Sequence, residues 1–583
     1  MNKNILYTCI TTVGLLFALV ASAGQPVEKN YAEFCASCHG ADRLGGSGTA
    51  LLPENLERLR RPEAFKTIAE GRNASQMPGF AEKLAKEDIQ ALVDFIYTPL
   101  PEVPMWGAKE IIASQLWPVP PGSLPNKQVF SADPLNLFVV VELGDHHATI
   151  LDGDKFEPIY RFKTRFALHG GPKFSPDGRF VYFASRDGWI SKFDIYNLKV
   201  VSEIRAGINT RNLAVSGDGK TVLVGNYLPH SLVLLNAEDL SLLKVIPAIG
   251  QDGKSSRVSA VYQAAPRGSF VAALKDVKEV WEIPYGDKEY PVRPRHGEAE
   301  PSGARVAASH LLPQSAGYAI TSDLANVVGS PSRMASSSIS NVSEVRPRHG
   351  GAEPSGAGVT ASHLLPQSAG YASNVSEVRR IGVDNYLDDF FFDLSYRHLI
   401  GAARDGKKGQ VIDLDTGKKV AELDLPGMPH LGSGITWEYQ GHPVMATPNL
   451  KEPLVSVIDM TSWQTVKQIK TLGAGFFMRS HENSPYAWTD GFNSKDSRDT
   501  MTIIDKRTLE VVKVLRPMPG KTAAHVEFTR DGKYVLISIW ENDGALLIYD
   551  ATTLEEVKRL PMNKPSGKYN VYNKIMRSAG TSH

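Results

Sequence analysis

The chain has 583 residues, which is longer than one typical domain, so two or more domains are expected. Hydrophobic residues make up 42% of it and charged residues 22%, which is usual for globular domains and excludes a largely disordered chain. The formal net charge is only +1, so the charge balance gives no indication of a protein that binds nucleic acid.

Residues 1–23 have the composition of a signal peptide. Lys3 provides a positive start, residues 10–20 are apolar, and Ala21, Ser22 and Ala23 form a small-residue cleavage site. We therefore expect the mature protein to begin at residue 24 and to be exported. An uncleaved N-terminal anchor is the alternative, although the apolar run is short for a membrane span.

Residues 35–39 carry a haem attachment motif, in which two residues separate Cys35 from Cys38 and His39 follows directly. Thiols at this spacing add to the two vinyl groups of one porphyrin, and the adjacent imidazole is placed to bind the iron. The alternatives are a chance pattern, a redox dithiol or half of a zinc site. The chain has only 3 cysteines, and Cys9 lies in the segment expected to be removed, so the mature protein has no other thiol to build a zinc site or a disulfide. The motif therefore predicts covalent haem c, and with export it indicates the periplasm of a bacterium.

Residues 24–100 are predicted to form a small all-α cytochrome c domain. Helices are expected over residues 28–36, 63–70 and 86–97, and a glycine-rich stretch after the motif is expected to loop round the porphyrin. Met77 lies on a loop before the last of these helices. We expect it to be the second axial ligand of the haem c iron, with Met105 as the alternative.

Residues 101–130 form a proline-rich linker, and residues 131–583 have the pattern of an all-β domain. A unit recurs there that consists of a polar turn with Asp-Gly, followed by short apolar strands separated by further turns. The turn reads Ser-Pro-Asp-Gly at 175–178, Ser-Gly-Asp-Gly at 216–219 and Asp-Gly at 531–532. Repetition of this unit at fairly regular spacing predicts an eight-bladed β-propeller built from four-stranded blades.

The fourth unit is interrupted by a repeated segment. Residues 293–319 recur nearly unchanged at 346–372, and the segment is rich in Ser, Ala, Gly and Pro without a blade pattern. Removal of residues 293–378 would rejoin the flanking sequence through a loop of ordinary length. We therefore predict a disordered insertion at about 293–378.

Several histidines outside this segment stand beside predicted strands in similar settings. They are His169, His430, His525 and His481. A propeller places its functional residues where strands and loops meet the central channel. A single such histidine is usually structural, but repetition of the theme on one rim predicts iron-ligand or acid/base roles. Arg186 and Arg211 stand in comparable positions and are expected to bind the carboxylates of a large anionic ligand, unless they are solvated surface charges.

A cytochrome c domain joined by a proline-rich linker to an eight-bladed propeller resembles the cytochrome cd1 family. Residues 166–169 resemble the strand with the proximal ligand of haem d1, and residues 225–229 resemble a stretch with a tyrosine near that haem. Residues 566–573 resemble the strand that closes the ring. The resemblance implies both haem c and a d1-type haem. The residues that it implies at the d1-type haem are His169 as an iron ligand, with Arg186, Arg211 and Tyr227 as further contacts.

Departures from the nitrite reductases of this family decide the expected function. Those enzymes have two distal histidines, of which His430 matches one, whereas Asp388 stands in place of the other. Residues 519–528, which include His525, resemble the dihydro-haem d1 dehydrogenase branch, whose members oxidise a propionate of the precursor to the acrylate of haem d1. The resemblance thus implies a periplasmic oxidoreductase of haem d1 biosynthesis with haem c as the electron acceptor. His430 and His525 are the expected catalytic residues, His430 as distal ligand or base and His525 as a second acid/base candidate.

Two other functions stay open from the sequence alone: a nitrite reductase with an altered distal site, and a haem d1 carrier or electron-transfer protein without catalysis. For the dehydrogenase, the resemblance implies dihydro-haem d1 as the substrate and an external periplasmic electron acceptor. It also implies a haem d1-binding biogenesis protein and the nitrite reductase as recipients of the product. A homodimer is compatible with the sequence, and no nucleic acid partner is expected.

Overall fold

In the computed structural model of the chain, the described residues are 26–46, 48–56, 59–71, 77–102, 105–285, 378–403 and 408–577. The signal peptide predicted over residues 1–23 lies outside these ranges, as does all but residue 378 of the predicted insertion. Within the described ranges, no helix has both the length and the apolar character that a membrane crossing requires.

The N-terminal part is helical, as predicted. Its α-helices are α1 Val27–Phe34, α2 Ala36–His39, α3 Pro53–Leu56, α4 Arg61–Glu70, α5 Lys86–Ile96 and α6 Ala108–Ala113. The helix expected over residues 28–36 is divided at Cys35 into α1 and α2, and the other two expected helices are confirmed as α4 and α5. The apolar face of α5 is buried and packs against α1 and α4, which forms the core of this part.

The remainder is a ring of four-stranded antiparallel sheets. The first blade begins with β1 Leu137–Glu142, β2 His147–Asp152 and β3 Glu157–Lys163. The second contains β4 Lys173–Phe174, β5 Phe180–Ala184, β6 Trp189–Asp194 and β7 Lys199–Arg205. The third contains β8 Asn209–Val215, β9 Thr221–Leu228, β10 Ser231–Asn236 and β11 Leu242–Pro247. The fourth contains β12 Val258–Ala264, β13 Ser269–Leu274, β14 Glu279–Pro284 and β15 Arg379–Gly382.

The other blades follow the same plan. The fifth contains β16 Leu387–Phe392, β17 His398–Ala403, β18 Gly409–Asp413 and β19 Lys418–Leu423. The sixth contains β20 Ile435–Tyr439, β21 His442–Pro448, β22 Leu454–Asp459 and β23 Thr465–Lys470. The seventh contains β24 Met478–Arg479, β25 Tyr486–Asp490, β26 Met501–Asp505 and β27 Val511–Leu515. The eighth contains β28 Ala523–Phe528, β29 Tyr534–Ile539, β30 Gly544–Asp550 and β31 Glu556–Met562.

The last strand of the chain closes the ring. β32 Pro565–Asn570 pairs antiparallel with β1 and so supplies the fourth strand of the first blade, before the short helix α7 Val571–Met576. Inner strands of neighbouring blades contact one another, as β8 contacts β12 and β28 contacts β32, so they line the central channel. Apolar side chains from neighbouring blades pack between the sheets, as between the third and fourth blades. The prediction of an eight-bladed β-propeller after a cytochrome c domain is confirmed.

The recurring polar turn has a physical reason. In the second blade, the hydroxyl of Ser175 donates a hydrogen bond of 2.5 Å to Asp177 Oδ1, and Gly178 has a φ of +74°. That left-handed conformation suits glycine, because it has no Cβ to clash with the backbone. The same arrangement recurs at Ser216, Asp218 and Gly219, and at Thr529, Asp531 and Gly532. The sequence pattern therefore marks one tight turn between the first two strands of a blade.

Candidate active site in the propeller channel

The haem c motif lies on α2 and on Cys35, the residue before it. Nδ1 of His39 donates a hydrogen bond of 2.7 Å to the carbonyl oxygen of Thr49, which leaves the lone pair of Nε2 for an iron ion. A Cβ added at Gly48 would lie 2.8 Å from the His39 ring, so only glycine leaves room for the ring. Cys35 and Cys38 are free thiols. These residues fit a covalently bound haem c.

The two candidates for the second axial ligand of haem c lie in different surroundings. Met77 packs against the hydrophobic core of the cytochrome helices, next to residues of α1 and the haem motif. The side chain of Met105 is 82% exposed. This placement favours Met77, whose ligation of the iron stays a prediction.

Three of the predicted histidines lie at one rim of the propeller channel. Because the second to eighth blades each begin with their inner strand, these inner strands begin at the same face of the ring. His169 comes shortly before β4, His430 comes shortly before β20, and His525 lies near the start of β28. These three histidines thus lie on one rim, as the sequence predicts.

His481 differs from these three, because it follows the inner strand β24 instead of preceding it. Its Nδ1 accepts a hydrogen bond of 3.1 Å from the backbone N–H of Asn483, and its Nε2 donates one of 3.1 Å to the carbonyl oxygen of Arg530. Both imidazole nitrogens of His481 thus form hydrogen bonds with backbone groups, and they do so at the opposite face of the propeller. This geometry indicates a structural histidine.

His169 presents an unprotonated nitrogen to two arginines. Its Nδ1 donates a hydrogen bond of 2.6 Å to the carbonyl oxygen of Arg211, which leaves Nε2 as an acceptor. Nη2 of Arg186 lies 2.8 Å from Nε2, and Nη1 of Arg211 lies 3.3 Å from it. This tautomer is the one that an iron ligand requires, so His169 fits the predicted role.

Arg211 and Tyr227 lie on the third blade in a polar network. Nε of Arg211 donates a hydrogen bond of 2.7 Å to the carbonyl oxygen of Ser259. Burial alone would lower the pKa of Arg211, but Tyr227 and nearby carboxylates raise it above its usual value. The Tyr227 hydroxyl accepts a hydrogen bond of 3.1 Å from Nζ of Lys275. The structure therefore brings Arg186, Arg211 and Tyr227 to the same side of the channel as His169.

Asp388 occupies the position at which the sequence comparison with the nitrite reductases places a second distal histidine. Its Oδ1 lies 3.4 Å from Nζ of Lys275, the lysine that also donates to Tyr227. The neighbouring Asp389 accepts hydrogen bonds from the Tyr262 hydroxyl at 2.8 Å and from the Gly432 N–H at 2.9 Å. Both carboxylates thus take part in polar contacts within the fold, and Asp388 has a cationic neighbour in place of a second imidazole.

His430 has the same tautomer as His169. Its Nδ1 donates a hydrogen bond of 2.5 Å to the carbonyl oxygen of Phe476, so Nε2 is again the acceptor. Burial lowers the pKa of His430, although Asp389 opposes this effect. The imidazole is therefore neutral at neutral pH and is available as a base.

His525 lies in a strained and buried position. Its φ is +51°, an unusual value outside glycine, and the pairing of β28 with β29 shifts register around it. The side chain is 1% exposed, and among the described residues its Nδ1 has no hydrogen-bond partner. Burial lowers the pKa of His525 well below its usual value, and the cations of Lys568 and Arg479 lower it further. A neutral imidazole held in this way is typical of a functional site.

Asp490 connects the two proposed catalytic histidines, although no sequence signal marks it. Its Oδ1 accepts a hydrogen bond of 2.7 Å from the N–H of Phe476, whose carbonyl oxygen holds His430. Its Oδ2 accepts one of 3.3 Å from the N–H of His525. The ring of Phe477 contacts both imidazoles, with centroid distances of 6.2 Å to His430 and 4.7 Å to His525. One carboxylate therefore fixes the backbone at both histidines.

We expect Asp490→Asn to lower turnover by about tenfold or more, since hydrogen bonds to a charged group are worth about 1.5 to 3 kcal/mol. Burial raises the pKa of Asp490 to about 6, although the backbone N–H groups oppose this effect. Activity of the unmodified protein should therefore fall as the pH drops through that value, and the variant should lack this inflection. Turnover measured from about pH 5 to about pH 8 checks both results. The exposed Asp496 provides the control Asp496→Asn, and unchanged turnover in Asp490→Asn would contradict the role.

Lys568 and Tyr569 of β32 also border His525. The rings of Tyr569 and His525 lie 4.9 Å apart, and Nζ of Lys568 donates a hydrogen bond of 2.9 Å to the hydroxyl of Ser538. Burial lowers the pKa of Lys568 well below its usual value. Neither residue was predicted as a site residue. Lys568 was not expected there because a lysine in a strand ordinarily faces solvent.

Comparison with known proteins agrees with this architecture. Residues 132–310 and 368–574 match the family described as Cytochrome D1 heme domain, and residues 22–96 match Cytochrome C oxidase, cbb3-type, subunit III. The Dihydro-heme d1 dehydrogenase of Pseudomonas aeruginosa is 52% identical and covers 98% of this chain and 99% of its own length. The Nitrite reductase of Stutzerimonas stutzeri is 23% identical and covers 98% of each chain.

A solved structure described as Dihydro-heme d1 dehydrogenase NirN in complex with DHE is also similar. Its TM-score is 0.78 at 51% sequence identity, and the match covers 94% of this chain and 100% of that one. The similarity thus extends over both the cytochrome helices and the propeller, as the resemblance seen in the sequence implies. The chain belongs to the dihydro-haem d1 dehydrogenase branch of the cytochrome d1 haem-domain family.

Proposed function

We propose that this protein is a dehydrogenase of haem d1 biosynthesis, which oxidises a propionate side chain of dihydro-haem d1 to the acrylate of haem d1. Near full-length similarity to a protein named for this activity supports the assignment. The observation that carries it is the arrangement of side chains at the channel rim. One histidine there has an unprotonated Nε2, and it stands together with two neutral, buried histidines and several cationic side chains. Such a rim suits a large anionic substrate that contains iron and must lose a proton.

The reaction requires a base beside the side chain that becomes unsaturated. Conversion of CH2–CH2 into CH=CH next to a carboxylate removes two protons and two electrons. A protein base must lie within hydrogen-bond reach of the proton that it accepts. His430 and His525 are the two candidates, since burial lowers the pKa of each and keeps it in the basic form.

The remaining rim residues would hold the substrate. His169 would bind the iron of dihydro-haem d1 through Nε2, because its Nδ1 is already committed to a carbonyl oxygen. Arg186 and Arg211, which now donate toward that Nε2, would then donate to carboxylates at the ring edge, for which guanidinium groups have the right geometry. Tyr227 would add a polar contact on the same side.

Cys35, Cys38 and His39 would hold haem c, which would supply a one-electron acceptor for the two electrons, taken one at a time. Met77 as a thioether ligand would raise its reduction potential relative to two histidine ligands. We propose that an external periplasmic acceptor then removes the electrons. The haem d1 product would pass to a haem d1-binding biogenesis protein and to the nitrite reductase of denitrification.

One experiment separates this function from the alternatives. Purified protein is mixed with dihydro-haem d1, and its absorption spectrum is recorded over time. Conversion to haem d1 supports the dehydrogenase, whereas binding without conversion supports a carrier. Nitrite turnover with a full complement of haem d1 would support a nitrite reductase, which the Asp388–Lys275 pair disfavours because it replaces a distal imidazole.

We also propose the domain boundaries predicted from the sequence: a signal peptide at 1–23, a cytochrome c domain at 24–100, a linker at 101–130 and a propeller at 131–583 in the periplasm. The insertion predicted at about 293–378 would lie between two strands of one hairpin. Pairing of Glu279 with Gly382 and of Glu282 with Arg379 makes β14 and β15 neighbours in the fourth blade. A hairpin needs only a short connection between its strands.

We expect deletion of residues 293–378 to leave the fold intact, with a thermal midpoint within about 2 °C of that of the full chain. The reason is that no strand of the fourth blade is removed. A longer deletion, through Gly382, provides the control, since it removes β15 and the ion pair of 3.1 Å between Arg379 and Glu282. Circular dichroism during heating measures both variants. A large loss of stability in the shorter deletion would show that the segment belongs to the propeller.

A further inference from the structure

Arg205 lies where the cytochrome part, the linker and the propeller meet. It is the last residue of β7, and only 6% of it is exposed. Its Nη2 donates a hydrogen bond to the carbonyl oxygen of Leu44, and its Nε donates one of 2.9 Å to the carbonyl oxygen of Asp187. The guanidinium also lies 4.5 Å from the ring of Trp106 in the linker. One side chain thus joins three segments that are far apart in the sequence.

On the cytochrome side, Leu44 belongs to the loop of residues 40–46, which we call the haem loop. The next residue, Gly45, donates its N–H to the carbonyl oxygen of His39 at 2.9 Å. His39 is the proposed axial ligand of haem c, so this hydrogen bond joins the middle of the haem loop directly to the backbone of the ligand. Arg205 therefore contacts the haem loop one residue away from that hydrogen bond.

On the propeller side, Asp187 belongs to residues 185–188 between β5 and β6, which we call the blade-two loop. Arg186 in this loop donates its N–H to the carbonyl oxygen of Ala167 at 3.1 Å. The N–H of His169 in turn donates to the carbonyl oxygen of Ala184, just before the loop, at 2.8 Å. The blade-two loop thus lies directly against the segment that carries His169, the proposed ligand of the d1-type iron.

These contacts make a continuous hydrogen-bonded route between the two proposed iron ligands. It runs from His39 through the haem loop to Arg205, and from Arg205 through the blade-two loop to His169. Electronic coupling decays less steeply along covalent and hydrogen bonds than across gaps between atoms in van der Waals contact. A guanidinium is well suited to the middle of such a route, because its planar fork donates to two acceptors at once.

Other contacts between the two parts do not contain Arg205. Ala50 and Leu52 pack against Ile208 and Leu228 in an apolar cluster. Two amide side chains also reach across: Asn55 donates to the carbonyl oxygen of Ile208 at 3.4 Å, and Asn209 donates to that of Glu54 at 3.3 Å. Substitution of Arg205 therefore breaks the route through Arg205, while these contacts, including the one from Asn209 to Glu54, remain.

We propose that Arg205 is a positioning residue for electron transfer, which holds the haem loop and the blade-two loop in hydrogen-bond contact so that electrons pass between the d1-type tetrapyrrole and haem c. In each transfer, one electron leaves the tetrapyrrole and reduces ferric haem c to ferrous haem c, and no bond to Arg205 forms or breaks. The direction of this transfer rests on the proposed function, whereas the route does not.

The test uses the full-length protein with both tetrapyrroles bound. Haem c is reduced by a light flash with a soluble photosensitiser, and the passage of the electron to bound haem d1 is followed by absorption. We expect Arg205→Met to slow this passage by at least about tenfold, which corresponds to about 1.4 kcal/mol in the barrier. Arg205→Lys should give an intermediate rate, because an ammonium donates to the two carbonyl groups less well than a planar fork.

Two further readouts exclude a merely structural effect. The affinity for haem d1, from spectral titration, and the midpoint potential of haem c should stay close to those of the unmodified protein. Arg179→Lys is the matched control: Arg179 is also on the second blade, pairs with Asp194 at 2.7 Å and reaches the linker at Pro125. None of its hydrogen bonds to described residues involves the haem loop.

Electron passage at the unmodified rate in Arg205→Met would overturn the proposal. Parallel loss of haem d1 affinity and of electron passage would also overturn it, because Arg205 would then be a residue of the fold alone. Failure of the proposed function gives a different result: the unmodified protein would produce no acrylate from dihydro-haem d1, while the flash experiment would still report the route.

Discussion

We expect His525→Ala to reduce formation of the acrylate by about 100-fold to 10,000-fold, the range usual for loss of a general acid or base. The affinity for dihydro-haem d1 should change little, since the proposed iron ligand and carboxylate-binding side chains are on other blades. His525 is neutral and buried, and its Nδ1 has no partner among the described residues, so the strand holds it ready to exchange a proton. Product is measured by mass spectrometry and affinity by spectral titration.

A second variant tests the same role if His525→Ala fails to fold. His525 has a φ of +51°, and asparagine tolerates that conformation better than alanine. His525→Asn should therefore fold while lacking the imidazole. His442→Ala is the control, because His442 has a 59% exposed side chain at the start of β21. Acrylate formed at the unmodified rate by His525→Asn would remove His525 from the mechanism and leave His430 as the base.

Replacement of both Cys35 and Cys38 by alanine should abolish repeated turnover, because no haem c would then be attached to accept electrons. Binding of dihydro-haem d1 should persist, since the rim residues all come from the propeller. The measurements are covalent haem content, acrylate formed per protein molecule, and affinity. Acrylate that accumulates at the usual rate without haem c would mean that the electrons leave by another way.

The axial methionine can be tested on the same chain. Met77→Leu should lower the midpoint potential of haem c and change its absorption spectrum, because leucine offers no thioether to the iron. Met105→Leu is the matched control, as Met105 is exposed and lies apart from the cytochrome core. A spectral change in Met105→Leu with none in Met77→Leu would reverse the assignment of the ligand.

Much of the fold follows from local sequence patterns. The turns with Asp-Gly mark the blades because glycine in a left-handed conformation and a hydroxyl bound to the aspartate are local requirements. The cytochrome helices follow from apolar spacing and from the haem motif. The division at Cys35 was not predicted, because it arises where the chain turns to present the two thiols and His39.

The candidate site was predictable only in part. His169, Arg186 and Arg211 were expected at one site, and the structure places them within hydrogen-bond distance. Asp490 was not expected, because strands of a blade often end in aspartate and because the N–H groups of Phe476 and His525 that it binds come from other segments. His481 seemed equivalent to the rim histidines, yet it follows its short inner strand and so lies at the opposite face.

The strand that closes the ring also completes the chemistry. β32 brings Lys568 and Tyr569 beside His525, and it pairs with β1, which would otherwise be an unpaired edge in the first blade. A nascent or proteolytically shortened chain that lacks β32 would therefore have neither a closed channel nor a finished site. Closure of the ring and completion of the site beside His525 therefore depend on the same strand.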